Sequence, residues 1–417
     1  MAQPAAARKA EANRSERSLG MGRWGVRGLA TNIWLDDAGY HAPDYAFTMT
    51  ANLPRRIALV LGGGGLKGFA HVGVLRALEE RGIAPSLLSG TSIGSLIAAA
   101  AAGGTTLSEM EERALALRRR DVFRLNRLGM IRDRQRAVSI YLEGPLRELC
   151  ETIAPPATFD ELAVPVLVNT VDLEQAAQVV WGLPGLRNVS VAEAVYASCA
   201  LPGFFPPGIV AGRVCADGGI IDNLPVTIAA QGMDAVIAVD VGSAEIIRRE
   251  DVLSHGFGSI YMRAASTMMH ALQLVPLAHW AGPPMILIRP KVSHIGWFSF
   301  SRTPELIAAG YDAASEALDF YEAAFERESG VYPRRDMKVT VEKAKCIGCG
   351  LCVALAPDLM GMGADGKAFA RERIVSWSPA DGDFVHNCPT FAIRAERAGA
   401  EPPTALEGTQ ANESVSG

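Results

Sequence analysis

The stretch LVLGGGGLKGFAHVGVL, residues 59–75, contains the turn that decides the fold. An apolar run ends in four consecutive glycines, and a helical pattern of apolar residues follows from Phe69 to Leu78 and stops at Gly82. Glycines before a helix leave backbone N–H groups free to face a negative charge. The stretch therefore predicts a strand, a glycine loop and a helix, with the loop facing either a bound phosphate or a charge that develops during a reaction.

The first alternative is a dinucleotide site. Gly63, Gly65 and Gly68 fit the pattern G-x-G-x-x-G between a strand and a helix. A dinucleotide site also needs an acidic residue at the end of the next strand, where it binds the ribose. That strand ends in PSLLSGTSIGS, residues 85–95, which offers serines and glycines instead of an acidic residue. The dinucleotide interpretation is therefore the weaker one.

The second alternative is supported by the sequence GTSIG, which runs from Gly90 to Gly94 and fits G-x-S-x-G. A helical segment, SLIAAAAAGG, follows it, so Ser92 lies on a tight turn between a strand and a helix, the context of a nucleophile elbow. The helix N-terminus below the serine favours developing negative charge. By itself G-x-S-x-G also fits an ordinary turn. Its position 27 residues after Gly65 on the next strand–helix unit favours a serine nucleophile facing an oxyanion hole.

A serine nucleophile needs a base. Four later histidines are candidates, namely His255, His270, His279 and His294, but none of these four lies in a turn that would present it. In CADGGIIDNLPV, Asp217 is followed by Gly218 and Gly219. This pattern is ordinarily a turn, but here it places a carboxylate where it could reach the hydroxyl of Ser92. Apolar neighbours such as Phe204, Phe205 and Ile220 would raise the pKa of that carboxylate and make it a better base.

These motifs resemble the patatin-like phospholipases. GGGGLKG, GTSIG and DGG occur in that family's order, and ASCALPGFFPP, residues 197–207, resembles the apolar segment that the family carries before its aspartate. The resemblance covers about residues 55–330. It implies an α/β fold, a three-layer sheet with helices on both faces, and hydrolysis of an acyl ester, usually of a phospholipid or a neutral lipid.

The resemblance also assigns roles to single residues. It implies a dyad without a catalytic histidine, in which Ser92 is the nucleophile and Asp217 is the base. Gly64 and Gly65 would donate to the oxyanion, and Lys67 takes the position of the family's basic residue beside that loop.

An arginine-rich segment lies between Arg118 and Arg136, with eight arginines and two aspartates in a chain of formal net charge −5. Apolar residues are interspersed among the arginines. One interpretation is a solvated surface. The other is a lid or collar that contacts anionic lipid, with about 1 kcal/mol from each basic residue.

The C-terminal part carries a cysteine pattern. Cys346, Cys349 and Cys352 have the spacing C-x-x-C-x-x-C, and Cys388 follows in CPTFAI. The pattern of two-cluster ferredoxins places a fourth cysteine where this chain has Ala356. The segment therefore resembles single-cluster ferredoxins of α+β fold, and four thiolates imply one [4Fe–4S] cluster. Zinc is the alternative metal for these four thiolates.

Composition sets the remaining expectations. The net charge does not suggest nucleic acid, and the chain has no long apolar run that predicts a membrane-spanning helix. Seven cysteines, four of them after residue 345, favour a reducing compartment, so we expect a cytoplasmic protein with peripheral contact to the inner membrane face. We predict an N-terminal extension over 1–54, partly disordered, a hydrolase domain over 55–330, a ferredoxin-like domain over 331–396 and a disordered tail over 397–417. VYPRRDM, residues 331–337, is predicted to be a linker.

The sequence thus predicts a lipid acyl hydrolase fused to an iron–sulfur unit of redox or structural role, which would also contact a redox partner protein. Two other functions stay open. The chain could be a redox-gated lipid-binding or regulatory protein, or an electron-transfer protein that a lipase fold tethers.

Overall fold

A computed structural model describes residues 56–127, 129, 138–242 and 256–399. The predicted N-terminal extension, most of the predicted tail, His255 and part of the arginine-rich segment lie outside the described residues.

The larger part of the structure is built on one mixed sheet of nine strands, in the spatial order β5-β6-β3-β2-β1-β7-β8-β9, with β4 paired to β3. Its strands are β1 (Ile57–Leu61), β2 (Leu87–Thr91), β3 (Val166–Asp172), β4 (Ala177–Trp181), β5 (Gly208–Val210), β6 (Arg213–Asp217), β7 (Ala235–Val239), β8 (Met285–Ile288) and β9 (Val331–Tyr332). The central strands are parallel, apolar and buried, as expected for a sheet covered by helices.

Helices connect and flank these strands. They are α1 (Ala70–Glu80), α2 (Ile93–Ala102), α3 (Leu107–Ala116), α4 (Arg119–Val122), α5 (Glu143–Ile153), α6 (Val191–Cys199), α7 (Val226–Ala229), α8 (Gly256–Ala278), α9 (Thr303–Leu318) and α10 (Tyr321–Phe325). The strand–glycine loop–helix unit and the strand–serine turn–helix unit predicted from the sequence are therefore β1–α1 and β2–α2.

The register of the sheet places the turn at Ser92 and the turn at Asp217 at the same level along the strands. Thr91, which precedes the serine turn, is opposite Asn169 of β3. Thr170, the next residue of β3, is opposite Asp217 at the end of β6. Because β6 pairs only with the last three residues of β3, its own last residue lies level with the edge where the parallel strands β1 and β2 end.

The C-terminal unit has its own small sheets. β10 (Arg335–Val341) lies between β13 (Ile374–Trp377) and β14 (Ile393–Arg397), and β11 (Met360–Met362) forms a hairpin with β12 (Ala368–Ala370). Two short helices complete it, α11 (Leu351–Leu355) and α12 (Asp383–His386). The linker prediction for 331–337 is wrong, because Val331 and Tyr332 pair with β8 in the large sheet and β10 begins at Arg335.

The predicted fold class, a three-layer α/β sheet followed by a small α+β unit, is confirmed. The two parts have separate apolar cores, and the smaller core contains Cys346 and Cys352. Across the described residues, no helix combines the length and the apolar character needed to cross a membrane.

Candidate active site and cysteine cluster

Ser92 is held in a strained turn between β2 and α2. Its φ of 55° and ψ of −130° lie outside the regions that side-chain-bearing residues ordinarily adopt. Such a conformation costs roughly 1–3 kcal/mol and persists only where the surroundings enforce it. Here the N–H of Ser92 donates to Ser198 Oγ at 2.8 Å, and its carbonyl accepts from Ser95 Oγ at 2.6 Å. The turn is therefore held by hydrogen bonds to the backbone of Ser92, and neither of them uses the Ser92 hydroxyl.

The glycines that flank Ser92 are required by close packing. A Cβ on Gly90 would lie 2.5 Å from the carbonyl carbon of Gly94, and a Cβ on Gly94 would lie 2.0 Å from the carbonyl oxygen of Leu61. The spacing G-x-S-x-G thus indicates a turn in which the backbone at Gly90 packs against the backbone at Gly94. Gly94 also packs against the end of β1.

The glycine loop after β1 faces Ser92. A Cβ on Gly63 would lie 3.2 Å from Cβ of Ser92, and Gly65 has a φ of +58°. The N–H groups of Gly62 and Gly63 donate to backbone carbonyls, and so does that of Leu66. Between them, Gly64 and Gly65 have N–H groups for which the described part of the chain supplies no acceptor. Two adjacent free donors at the start of a helical turn are the geometry that an oxyanion hole needs.

Asp217 lies at the end of β6 and is 4% exposed. Its Oδ1 accepts the N–H of Gly219 at 2.8 Å, and its carboxylate also receives a hydrogen bond from the side chain of Ser92. Burial raises the pKa of this carboxyl from 3.8 to about 6, and the two hydrogen bonds oppose that rise only in part. The structure thus brings together Ser92 and a carboxylate of raised basicity.

One apolar cavity joins these groups. It has a volume of about 420 Å³ and is lined by Gly65, Ser92 and Asp217 at one end. The rest of its wall is mainly aliphatic and aromatic, including Leu96, Leu146, Leu149, Ile153, Phe205 and Phe298. This volume is within the ~300–1,000 Å³ typical of pockets for small organic ligands.

Sequence analysis missed Asn223, which is 2% exposed and fastens the glycine loop to the aspartate turn. Its Nδ2 donates to the carbonyl oxygen of Gly63 at 3.1 Å, and its own carbonyl oxygen accepts the N–H of Gly63 at 3.2 Å. Asn223 therefore holds Gly63 from both sides. Its place in the DNLP stretch six residues after Asp217 was the available signal.

His71 was also missed. It is fully buried on α1, below the glycine loop, and its Nε2 donates to the carbonyl oxygen of Gly62 at 2.8 Å. Burial lowers the pKa of His71 from 6.5 to about 4, so the ring is neutral at pH 7. Because Nε2 donates to a carbonyl on the strand side of the loop, His71 supports the backbone of the loop.

None of the other histidines within the described residues lines the cavity. His270 lies on α8, where its ring centroid is 6.3 Å from that of His386, and His294 pairs with Glu305 at 2.7 Å. His279 Nδ1 donates to the carbonyl oxygen of Val275, four residues earlier on the chain, at 3.1 Å. Lys67 lies beside the glycine loop and is 6% exposed.

In the C-terminal unit, all four predicted ligands line one small cavity: Cys346, Cys349, Cys352 and Cys388. Backbone N–H groups point at two of the sulfurs, from Ala368 to Cys346 Sγ at 3.4 Å and from Ala392 to Cys388 Sγ at 3.3 Å. Desolvation raises the pKa of the Cys388 thiol, but hydrogen bonds from the backbone outweigh it and lower the pKa overall. The site therefore favours thiolate at this position.

Two family models match the chain. Residues 59–230 match the model for the patatin-like phospholipases, and residues 339–395 match the model for the 4Fe-4S single cluster domain. The chain carries a patatin-like phospholipase domain and, after it, a 4Fe-4S single cluster domain. The patatin match contains Gly65, Ser92 and Asp217, and the cluster match contains all four cysteines.

Relatives agree with the first assignment. Lysophospholipase NTE1 of Mycosarcoma maydis is 29% identical over 324 residues, which cover 70% of this chain and 16% of that protein. An uncharacterized NTE family protein of Mycobacterium bovis is 35% identical over 191 residues, covering 46% of this chain and 50% of that protein. The chain thus spans half or less of the length of these relatives.

VipD from Legionella pneumophila superposes with a TM-score of 0.35 and 18% identity, over 64% of this chain and 67% of the VipD chain.

The four cysteines of the cluster domain fit an iron–sulfur cluster. Among the described residues, no three His, Cys, Asp or Glu side chains converge closely enough to ligate one metal ion directly. The four cysteines that line this cavity would hold an iron–sulfur cluster of the kind that the family model describes. When bound, such a cluster supplies one-electron chemistry.

Proposed function

We propose that the patatin-like domain, residues 55–330, hydrolyses carboxylic esters of lipids with Ser92 as nucleophile and Asp217 as base. The observation that carries this proposal is the meeting of three groups at one end of an apolar cavity. These groups are the Ser92 hydroxyl, a buried carboxylate of pKa about 6 and the free N–H groups of the glycine loop.

In the first half of the reaction, Ser92 Oγ attacks the ester carbonyl carbon while Asp217 takes the hydroxyl proton. The carbonyl oxygen becomes an oxyanion, which the N–H groups of Gly64 and Gly65 stabilise. Removal of one such donor typically lowers kcat by about 10²–10³-fold. As the tetrahedral intermediate collapses, the carboxyl of Asp217 returns its proton to the leaving alcohol and an acyl group remains on Ser92.

In the second half, a water molecule takes the place of the alcohol. Asp217 accepts a proton from this water as it attacks the acyl carbon, and the same N–H groups stabilise the second oxyanion. Collapse releases a fatty acid and restores the Ser92 hydroxyl. Burial makes this scheme workable, because a carboxylate of ordinary pKa would be a weaker base toward a hydroxyl.

The substrate class follows from the cavity wall. Its aliphatic and aromatic side chains suit an acyl chain and offer few partners to a polar substrate. The name lysophospholipase, which belongs to NTE1 of Mycosarcoma maydis, supports a phospholipid ester as the substrate. We therefore propose that the acyl chain occupies the cavity and the polar remainder of the lipid stays at its mouth.

The rate should depend on pH through Asp217. The base must be ionised to accept a proton, so kcat/KM for a soluble ester should rise with pH and level off above a midpoint near 6, the raised pKa of this carboxyl. Stopped assays across the acidic and neutral range measure the midpoint. A midpoint close to the ordinary value of 3.8 would contradict a buried base.

We further propose that the cluster domain holds one [4Fe–4S] cluster and that this cluster keeps the domain folded. Cys346 and Cys352 are part of its small apolar core, so loss of the cluster opens the core itself. The patatin domain has a separate core and does not depend on it.

Cys388→Ser should therefore remove the brown colour and the iron and sulfide, about four of each per chain in the native protein. Far-UV circular dichroism should show a partial loss of structure, while hydrolysis of a short-chain soluble ester should persist. Thr390→Ala, which changes a hydroxyl near Cys388 but no thiolate, is the matched control and should keep the cluster. Zinc in protein made with ample iron and sulfide would contradict the assignment.

We also propose peripheral contact with anionic lipid through the arginine-rich segment 118–136. In its described part, Arg118, Arg119, Arg120, Arg124 and Arg127 are exposed. Exposed arginines on a lipid-facing surface attract anionic headgroups in a manner that salt weakens. Vesicle binding that is indifferent to salt would contradict this contact.

A further inference from the structure

Helix α8 has an outer face without charged residues. Its large exposed side chains are Ile260, Met268, Leu272 and Val275, which are 42–60% exposed. The other exposed positions of the helix that the structure describes are occupied by glycine, alanine and threonine, and none by Asp, Glu, Lys or Arg. A helix on the surface of a water-soluble domain ordinarily turns a polar, charged face to solvent. This outer face of α8 is therefore built for a less polar environment than water.

The inner face of the same helix covers the catalytic turn. Met269 is 8% exposed, and a Cβ on Gly219 would lie 2.7 Å from its methyl carbon. Gln273 is 2% exposed, and its Oε1 lies 3.5 Å from Nδ2 of Asn223. Asn223 is the residue that holds the glycine loop. The outer face of α8 is thus on the opposite side of the helix from Met269 and Gln273, which pack on the site.

The helix and the arginine-rich segment flank one aromatic cluster. Tyr261 of α8 lies 5.9 Å, centroid to centroid, from Phe204, which belongs to the segment before Asp217. On the other side, Phe123 lies 5.7 Å from Phe205, and the guanidinium of Arg119 lies over the Phe123 ring at 5.5 Å. Phe123 and Phe205 also line the cavity. The α8 helix and the exposed arginines of 118–127 therefore lie beside one aromatic cluster, part of which lines the cavity.

Two further exposed apolar residues lie in the turn after Asp217. Ile220 and Ile221, which follow Asp217 and its two glycines, are 39% and 38% exposed. They come directly after Gly219, where a Cβ would lie 2.7 Å from Met269 of α8.

We propose that the outer face of α8 docks on the surface of an anionic phospholipid bilayer and so brings the cavity entrance against its substrate. The inference rests on the proposed function, which makes a lipid the substrate. The occupant follows from charge: the helix offers apolar area and no carboxylate, and residues 118–127 beside it hold five arginines and one aspartate. An amphipathic helix that binds a lipid interface combines apolar area with attraction to anionic headgroups in the same way.

The test compares three proteins, all as the full chain. Leu272→Glu/Val275→Glu places two carboxylates on the outer face of α8. Phe320→Glu/Leu173→Glu makes the same change at two exposed apolar residues outside this surface, 57% and 43% exposed. Binding is measured by co-sedimentation with vesicles of equal parts phosphatidylglycerol and phosphatidylcholine, and activity on a short-chain soluble ester that needs no interface.

We expect the α8 variant to bind the vesicles at least about tenfold more weakly than the native chain, and the control variant to bind as the native chain does. All three should hydrolyse the soluble ester equally. Equal vesicle binding by all three proteins, or no binding by the native chain, would overturn the docking surface and leave the proposed ester hydrolysis intact. A change from dimer to monomer in the α8 variant at unchanged vesicle binding would overturn it in favour of a second copy. Absence of ester hydrolysis in all three would instead overturn the proposed function.

Discussion

Ser92→Ala and Asp217→Asn should each lower kcat/KM for a soluble ester by about 10⁴-fold or more, because nucleophile and base act as one unit. The double variant should be no less active than Ser92→Ala alone, since either change already removes the covalent route. Initial rates with purified protein, followed over long incubations, measure the residual activity. His270→Ala and His279→Ala are the controls and should keep most of the activity. A loss in either histidine variant as large as that in Ser92→Ala would establish a histidine base and contradict the dyad.

Asp217→Asn also has a stability readout that separates loss of function from loss of fold. Burial raises the pKa of Asp217 above its unfolded value, so the stability that this carboxyl contributes is complete below pH 3.8 and is lost as the pH rises through about 6. Each pKa unit corresponds to about 1.4 kcal/mol of folding free energy. At neutral pH the neutral amide should therefore give a protein that melts at a higher temperature than the native one, while it remains inactive.

Gly65→Val should abolish turnover while the protein stays folded. Gly65 has a φ of +58°, and a Cβ there would lie 2.7 Å from the carbonyl oxygen of Trp297. A β-branched side chain at this position must displace the loop and thus the N–H groups of Gly64 and Gly65. Loss of the donors is expected to lower kcat by about 10²–10³-fold or more. Steady-state kinetics should show the effect in kcat, with thermal unfolding as the check on folding.

The matched control for this variant is Gly185→Val. Gly185 also has a positive φ, +82°, but a Cβ there would have no neighbour within 4 Å. The Gly185→Val variant carries a similar backbone strain but does not obstruct the glycine loop. It should therefore lower the free energy of unfolding and leave kcat unchanged. Equal rates in Gly65→Val and the native protein would return the loop to a purely structural role.

The parts of the site that the sequence predicts are those that local patterns encode. The turn at Ser92 needs glycine at positions 90 and 94 because the backbone packs too closely there for a side chain. The two glycines therefore appear in the sequence at a fixed spacing from the serine. The glycine loop is recognisable for a similar reason, since Gly65 takes a backbone conformation that other residues avoid. The four cysteines of the cluster domain are readable because three of them share one short loop.

The parts that the sequence does not predict depend on contacts between distant segments. Asn223 acts on Gly63, 160 residues earlier in the chain, and nothing in its own neighbourhood indicates that partner. The role of His71 depends on α1 lying below the loop, which no helical pattern reveals. Val331 and Tyr332 resemble a linker because a two-residue edge strand is too short to show alternation, and only pairing with β8 defines it.

The alternatives for the whole chain differ in what they require of Ser92. A lipid-binding regulator or a tethered electron-transfer protein could keep the cavity and the cluster without a reactive serine. The strained backbone of Ser92 and its hydrogen bond to a buried carboxylate are costs that binding alone does not require. Reactivity at this one hydroxyl therefore distinguishes the hydrolase from both alternatives.

The most direct measurement is labelling with a fluorophosphonate, followed by peptide mass spectrometry, on protein purified without oxygen and on the same protein exposed to air. The account predicts one covalent label on Ser92, none in Ser92→Ala, and much slower labelling in Asp217→Asn, because the probe needs an activated serine. A label on another serine, or no label on folded native protein in either condition, would contradict the claim that Ser92 is the nucleophile of a serine hydrolase.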